Sequence, residues 1–423
     1  MKPSFVLKGD LAFTPSKEAF STFSQGFLVC ENGRISGVFP VLPACYDALP
    51  CLDFSNCLIV PGLSDTHLHA PQYAYRGLGM DLELLEWLNL HAFPEEARYQ
   101  DMRYAQAAYS QFADALTHSA TTRACVFATV HVPATLCLME ALEKRGFHGY
   151  VGKVNMDRNS PDDLCETNAQ AALAATEEWL ARTAAFTHVK PVLTPRFAPS
   201  CSDQLLRGLG AMHQKSGLPV QSHLSENPSE VQWVRELCPQ ASCYGDVYAR
   251  FGLLDGDAQT VMAHCVYPTE TEIALLREHK VLVSHCPASN MNLSSGIAPI
   301  RRYLQEGVRV SLGTDIAGGY DLSIFRAMAD AVQVSKLLFR YGEEHPRPLT
   351  LSEAFYLGTK GGGSLFGKVG SFEPGYACDA VVLDDSALVS PCPLSVEQRV
   401  ERAVYLDRDV QIKHKYIDGL QVL

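Results

Sequence analysis

The chain has 423 residues, 47% of them hydrophobic and 19% charged, with a net charge of −12. That length can bury a large core and suits two or three domains, or one α/β barrel of about 250 residues with additions. The acidic balance speaks against a nucleic-acid or polyphosphate partner, and no apolar run approaches the ~18 residues that span a membrane.

Residues 1–10 lack the apolar stretch of an export signal. The 14 cysteines are scattered, with no Cys-x-x-Cys among them. Reduced, buried thiols of a cytoplasmic protein are the expectation. Residues 1–60 read as short strands and turns. Asn32-Gly33 predicts a tight hairpin turn, with Ile35–Val41 as the returning strand. The C-terminal end has the same texture. Asp379–Asp384 and Val404–Leu406 are expected strands, and Lys415–Val422 is a hairpin about Asp418-Gly419. The expectation is one small β-sandwich domain built from both ends, residues 1–60 plus 371–423.

The middle, residues 61–370, alternates apolar β-type runs with amphipathic helical stretches. The runs begin with Cys57–Val60, Thr121–Ala128, Tyr150–Met156 and Val189–Thr194. They continue with Pro219–His223, Gln259–His264, Lys280–His285 and Val308–Gly313. Helices are expected between them, among them Ala105–Leu116, Asn168–Trp179 and Asp203–Gln214. Eight strand–helix units predict an α/β protein with a (β/α)8 TIM barrel as its catalytic domain. A doubly wound sheet competes, but Arg76-Gly77-Leu78-Gly79-Met80 lacks the third glycine of a dinucleotide turn. Asp81–Leu90 reads as a core-packing helix after the first strand.

Polar residues recur at the C-terminal ends of these runs, where such barrels build their active sites. His67 and His69 follow the first run two positions apart, so an extended chain points both the same way. The fifth run ends in His223, the sixth in His264, and the eighth leads into Asp315. Any of these alone is an ordinary core histidine or helix-capping aspartate. Their common placement predicts a metal centre. Three histidines and an aspartate suit zinc with one position left for water, and iron or manganese stay open. Glu226 follows His223 closely. A carboxylate there can take a proton from a metal-activated water and return it to substrate. It could also serve only as part of a helix start, Ser225-Glu226-Asn227-Pro228.

Pro61-Gly62-Leu63-Ser64-Asp65-Thr66-His67-Leu68-His69, with the later His, His and Asp in order, resembles the amidohydrolase superfamily. Within it the chain resembles the guanine deaminases. That resemblance rests on His69-Ala70-Pro71-Gln72-Tyr73, Leu84-Leu85-Glu86-Trp87-Leu88 with Phe93-Pro94, and Val151-Gly152-Lys153-Val154 with Met156-Asp157. It also rests on Thr194-Pro195-Arg196-Phe197-Ala198, His223-Leu224-Ser225-Glu226-Asn227, His285-Cys286-Pro287-Ala288-Ser289-Asn290 and Gly313-Thr314-Asp315-Ile316-Ala317-Gly318-Gly319.

The resemblance implies one Zn2+ per subunit, held by His67, His69, His223 and Asp315. It places His264 beside the attacking water or substrate, and often among the ligands. It implies hydrolytic deamination of guanine to xanthine and ammonia, with Glu226, Asp315 and His264 catalytic. Guanine would meet Gln72, Arg196 and Phe197, besides His223, Glu226 and Asp315. A homodimer is implied as well. The chemistry of the readers agrees: a guanidinium donates to a purine carbonyl, and a glutamine amide both donates and accepts. A two-metal hydrolase would need a bridging carboxylated lysine at the end of the fourth strand. Lys190 stands too early in that strand and Lys153 falls mid-strand in the third. A single-metal deaminase of another aminopurine, cytosine or a triazine is the nearer alternative. A non-catalytic scaffold on the same fold is disfavoured by retention of every proposed donor together with Glu226.

Overall fold

The structure is a computed structural model that describes residues 2–255 and 259–423. Strands Leu63–His69, Thr121–Phe127, His148–Gly152 and Val189–Pro191 lie parallel in that order, and Val220–Leu224, Thr260–His264, Leu282–His285 and Arg309–Leu312 form a second parallel set. Two seams join the sets. At one, Leu193 bridges Val220 and the Gln221 N–H donates to the Leu193 carbonyl at 2.9 Å. At the other, the Asp315 N–H donates to the His67 carbonyl at 2.9 Å and the His69 N–H to that of Ile316 at 3.0 Å. The eight strands therefore close into the expected TIM barrel. Every residue of Leu63–His69 and Thr121–Phe127 is buried, because the barrel interior covers one face and the helices the other.

The helices fall where the apolar spacing predicts them. Met102–Thr117 buries Ala105, Tyr109, Phe112, Ala113 and Leu116, and Asp101 caps its N-terminus by accepting from the Arg103 N–H. Asp203–Ser216 starts on a Ser202 cap and ends at Gly217, whose φ of 67° is a conformation glycine adopts freely. Among the described residues, no helix is long and apolar enough to cross a membrane.

The two ends of the chain meet in one seven-stranded sheet. Its order is Leu420–Gln421, Gln411–Ile417, Ala380–Asp384, Cys51–Pro61, Phe5–Phe13, Ser21–Glu31, Arg34–Phe39. Leu7, Leu28, Ile59, Phe372 and Val382 belong to its own apolar cluster. Both predicted hairpins form: Asn32 and Gly33 have φ of 52° and 77°, and Asp418 and Gly419 have 49° and 78°.

Two local expectations are corrected. Cys57–Val60 is not the first barrel strand. It ends the strand Cys51–Pro61, which pairs with Phe5–Phe13 and Ala380–Asp384 in the terminal sheet. Gly62 then carries the chain into Leu63–His69, so close to Thr122 that a Cβ there would lie 2.1 Å from its Oγ1. The second correction concerns Val404–Leu406. Val404 and Tyr405 lie in the helix Val396–Tyr405, which opens on a Ser395–Gln398 capping box and buries Val396, Val400, Ala403 and Val404. A run of three residues is too short to distinguish a helical period from a strand.

Candidate metal centre and substrate pocket

The barrel brings the predicted donors together. His67 and His69 stand on one strand, two residues apart, and both are buried. The His67 Nε2 lies 3.2 Å from Asp315 Oδ1, and the His69 Nε2 lies 3.5 Å from the same oxygen and 3.2 Å from the His223 Nε2. A tetrahedral ion with bonds of about 2.0–2.1 Å sets its ligand atoms about 3.3 Å apart. These three separations, 3.2, 3.5 and 3.2 Å, lie close to that spacing. His67 Nε2 is fully buried without a hydrogen-bond partner among the described residues, and a metal ion would satisfy it. His264 stands at the edge of the group, its Nε2 3.7 Å from Asp315 Oδ2.

Neighbouring groups fix which ring nitrogens are free. His223 Nδ1 lies 2.6 Å from the Arg196 carbonyl, and His264 Nδ1 lies 2.8 Å from Asn290 Oδ1. Each Nδ1–H donates to that oxygen, which leaves the Nε2 lone pair turned to the centre. Burial lowers the pKa of His67, His69 and His223, which favours their neutral, ligating form. Burial pushes Asp315 up, but His67, His264 and His69 hold its carboxyl well below the usual range. Burial pushes His264 down, yet Glu226 and Asp315 lift it above its ordinary value. Ser225, His264 and Asp315 take positive φ values of 49°, 71° and 47° at three strand ends. Backbone hydrogen bonds pin two of these three positions: the Val266 N–H to the Ser225 carbonyl at 2.9 Å, and the Gly319 N–H to that of Asp315 at 2.7 Å.

Cys286 also places its sulfur among His264 and Asp315, which nothing in the sequence spacing singled out. Burial and the nearby Asp315 hold this thiol protonated. It is the weaker donor of the group.

Glu226 reaches in from beside the donors. Its Oε2 lies 3.4 Å from His264 Nε2, and its Oε1 accepts from Ser295 Oγ at 3.0 Å. Its own N–H donates to Glu230 Oε2 at 2.8 Å, the same carboxylate that closes the Asn227–Glu230 capping box opening the helix Pro228–Leu237. Burial, opposed by His264 but reinforced by Asp315 and Glu230, raises Glu226 to about 7. So the helix start expected at this segment forms, with Glu230 as its capping carboxylate, while Glu226 points its own carboxylate to His264 and Ser295.

A pocket opens beside the donors, lined by His69, His223, Glu226, His264 and Asp315 together with Gln72, Arg196 and Phe197. Leu84, Trp87 and Leu88 line it too, so the segment expected only to pack the core also faces the site. Gln72 and Arg196 are held from behind by Glu96, a buried carboxylate that carried no distinguishing sequence signal. The Gln72 Nε2 donates to Glu96 Oε1 at 2.7 Å, Arg196 pairs with Glu96 Oε2, and Gln72 Oε1 accepts from the Ala317 N–H at 3.1 Å. Lys153 is buried and paired with Glu166, and Lys190 points its ammonium at the Phe186 carbonyl. Neither is placed to bridge two metals.

A family model described as "Amidohydrolase family" matches residues 58–422. The guanine deaminase of Dictyostelium discoideum is 38% identical over 380 residues, 88% of this chain and 84% of that one. The chain belongs to the amidohydrolase family, among the guanine deaminases. The amidohydrolase chain also superposes on solved structures. A guanine deaminase from C. acetobutylicum with guanine bound in the active site matches at 44% identity and a TM-score of 0.95, covering 99% of this chain and all of that one. The E. coli guanine deaminase matches at 31% identity and a TM-score of 0.88, covering 99% of each chain. The resemblance read from the motifs is borne out, and an amidohydrolase donor set that could hold a metal ion is present.

Proposed function

We propose that this amidohydrolase catalyses hydrolytic deamination of guanine to xanthine and ammonia, as its relatives' names and the bound guanine of the C. acetobutylicum enzyme suggest. One observation carries the reading: His69, His223, Asp315 and Glu226 line a single pocket together with Gln72, Arg196 and Phe197. His67, His69, His223 and Asp315 would hold one zinc ion, whose Lewis acidity would make a water nucleophilic near neutral pH.

The chain's residues divide the remaining work. Arg196 donates to the purine carbonyl, Gln72 reads the ring edge with a donor and an acceptor, and Phe197 packs beside them. Glu226 accepts a proton from the attacking water and delivers it to purine N3 as the oxygen bonds to C2. Asp315 takes the second water proton and passes it to the amino group, which leaves as ammonia when the C2–N bond breaks. His264 orients the attacking oxygen. Glu226 is suited to both halves of its task because burial poises it near neutrality.

The same reading extends to a cytoplasmic homodimer, in which residues 61–370 form the catalytic barrel and residues 1–60 plus 371–423 the small domain. The fourteen free cysteines suit a reducing compartment, and the separate apolar cluster of the terminal sheet suits a second domain.

The test is ammonia release from zinc-loaded protein with guanine, beside adenine, cytosine and 8-oxoguanine. Guanine is expected to be the preferred substrate. No guanine turnover would defeat the proposal, and a preference for cytosine or 8-oxoguanine would move the protein to a sister deaminase.

A further inference from the structure

Glu96 sits in the helix Phe93–Ala97, is 1% exposed, and does not line the substrate pocket. Its two carboxylate oxygens are divided between two side chains that do. One accepts from the Gln72 Nε2 at 2.7 Å, and the other pairs with Arg196. Resting on the guanine reading above, we propose that Glu96 is a positioning residue that sets base selectivity through Gln72 and Arg196 together.

The argument begins with Gln72. A glutamine amide is nearly symmetric in shape and can present either end to a ligand. Here its orientation is determined twice. The carboxylate of Glu96 can only accept, so it must face the amide nitrogen. The backbone N–H of Ala317 can only donate, so it must face the amide oxygen, and it does so at 3.1 Å. What remains toward the pocket is one N–H and one lone pair in a fixed order, which is a directional reader of a purine edge.

Arg196 adds the second constraint. It pairs with the Glu96 carboxylate and lies over the Phe93 ring, with its guanidinium carbon 5.0 Å from the ring centre. A planar guanidinium held at one edge by a carboxylate and against an aromatic face has few orientations left. Its remaining N–H groups are then aimed rather than mobile. The guanidinium offers donors only, so it accepts a C6 carbonyl and rejects a C6 amino group, whose hydrogens would meet its own. The ion pair also keeps the buried positive charge compensated. A pocket read by an uncompensated guanidinium would favour anions over a neutral base.

Glu96 thus orders both readers with one carboxylate and stays out of reach of the reacting atoms. Its loss should weaken recognition more than chemistry. The test compares the zinc-loaded wild-type protein with Glu96→Gln, using guanine and 2,6-diaminopurine, which differ at C6, carbonyl against amino, and consequently at N1, which carries a hydrogen only in guanine. The expected result is a KM for guanine raised about 10- to 100-fold, as for loss of charge-assisted hydrogen bonds, with kcat within about threefold and bound zinc unchanged. The preference for guanine over 2,6-diaminopurine should narrow about tenfold or more. In a Gln72→Leu background, Glu96→Gln should cost less than it does alone, because the shared contact is already gone.

An unchanged KM and an unchanged preference would overturn the proposal. So would losses strictly additive with Gln72→Leu, which a merely structural role predicts. Should Glu96→Gln fail to fold, Glu96→Asp decides, since it keeps the charge but is one methylene too short to reach both partners. An unaltered KM there overturns the proposal equally. Wild-type protein inactive on guanine would overturn the parent reading and this one with it. Active wild-type protein beside an unaffected variant would overturn this one alone.

Discussion

Ser295 Oγ donates to Glu226 Oε1 across 3.0 Å, joining the stretch after the helix Pro287–Asn292 to the proposed proton carrier. Glu226 is already lifted to about 7 by burial, and this hydrogen bond favours its ionised form. Ser295→Ala should therefore raise it further. Because the carboxylate must be ionised to accept a proton, the acidic limb of kcat/KM should move upward by about one pH unit relative to the parent. A pH–rate profile checks the direction. An unmoved or downward limb would argue that Glu226 does not set it.

Glu226→Gln keeps shape and removes the proton exchange. Turnover of guanine should fall by at least about 100-fold while bound metal stays stoichiometric. Elemental analysis beside an ammonia assay separates this from damage to the metal centre. Activity near the parental level would remove Glu226 from its role.

His67→Ala takes away a buried imidazole that faces both Asp315 and the neighbouring histidines. Metal content should fall below stoichiometric, with a lower thermal midpoint once the remaining carboxylate lacks a cation. Protein that retains a full equivalent of metal would contradict the ligand set.

Far from the pocket, Arg123 binds Asp379 through two hydrogen bonds, at 2.7 and 2.9 Å, and lies 3.3 Å from Asp418. Burial pushes the Asp418 carboxyl up, but a hydrogen bond from His148, Arg123 and Lys2 hold it well below the carboxylate range. A carboxyl depressed on folding contributes stability that is present above its unfolded pKa of about 4 and lost as pH falls below it. Acid should therefore lower the thermal midpoint from about pH 4 downward. Arg123→Met should cost about 3–5 kcal/mol at neutral pH by stranding Asp379, measurable by denaturant unfolding. An acid profile that stays flat to pH 3 would rule this network out as a stabilising one.

Much of the barrel was legible because its information is local. His67, His69, His223, His264 and Asp315 each follow an apolar run, and the barrel's architecture sends the ends of such runs to one rim. Cys57–Val60 was misplaced because its partners, Phe5–Phe13 and Ala380–Asp384, lie far away along the chain and register is decided there. Val404 belongs to a helix whose period shows only over the full Val396–Tyr405. Glu96 was invisible for another reason. Glu95 and Glu96 after a proline look like the solvated first turn of a helix, and only the packed fold reveals that Glu96 faces inward onto Gln72 and Arg196. Carboxylates of this kind take their meaning from tertiary contacts.

The passage through Gly62 also bears on how the molecule can be divided. Pro61 pairs with Ala380 in the terminal sheet, the Gly62 N–H donates to the Asp379 carbonyl at 3.0 Å, and the barrel strand bearing both histidines begins at the next residue. There is no tether to cut. A barrel excised at residue 61 would start its metal-bearing strand at a loose end, with the anchor that sets its register left behind on the discarded fragment. The chain is thus better suited to insertions at exposed loops than to dissection into modules, and any minimal version of the enzyme must keep both of its ends.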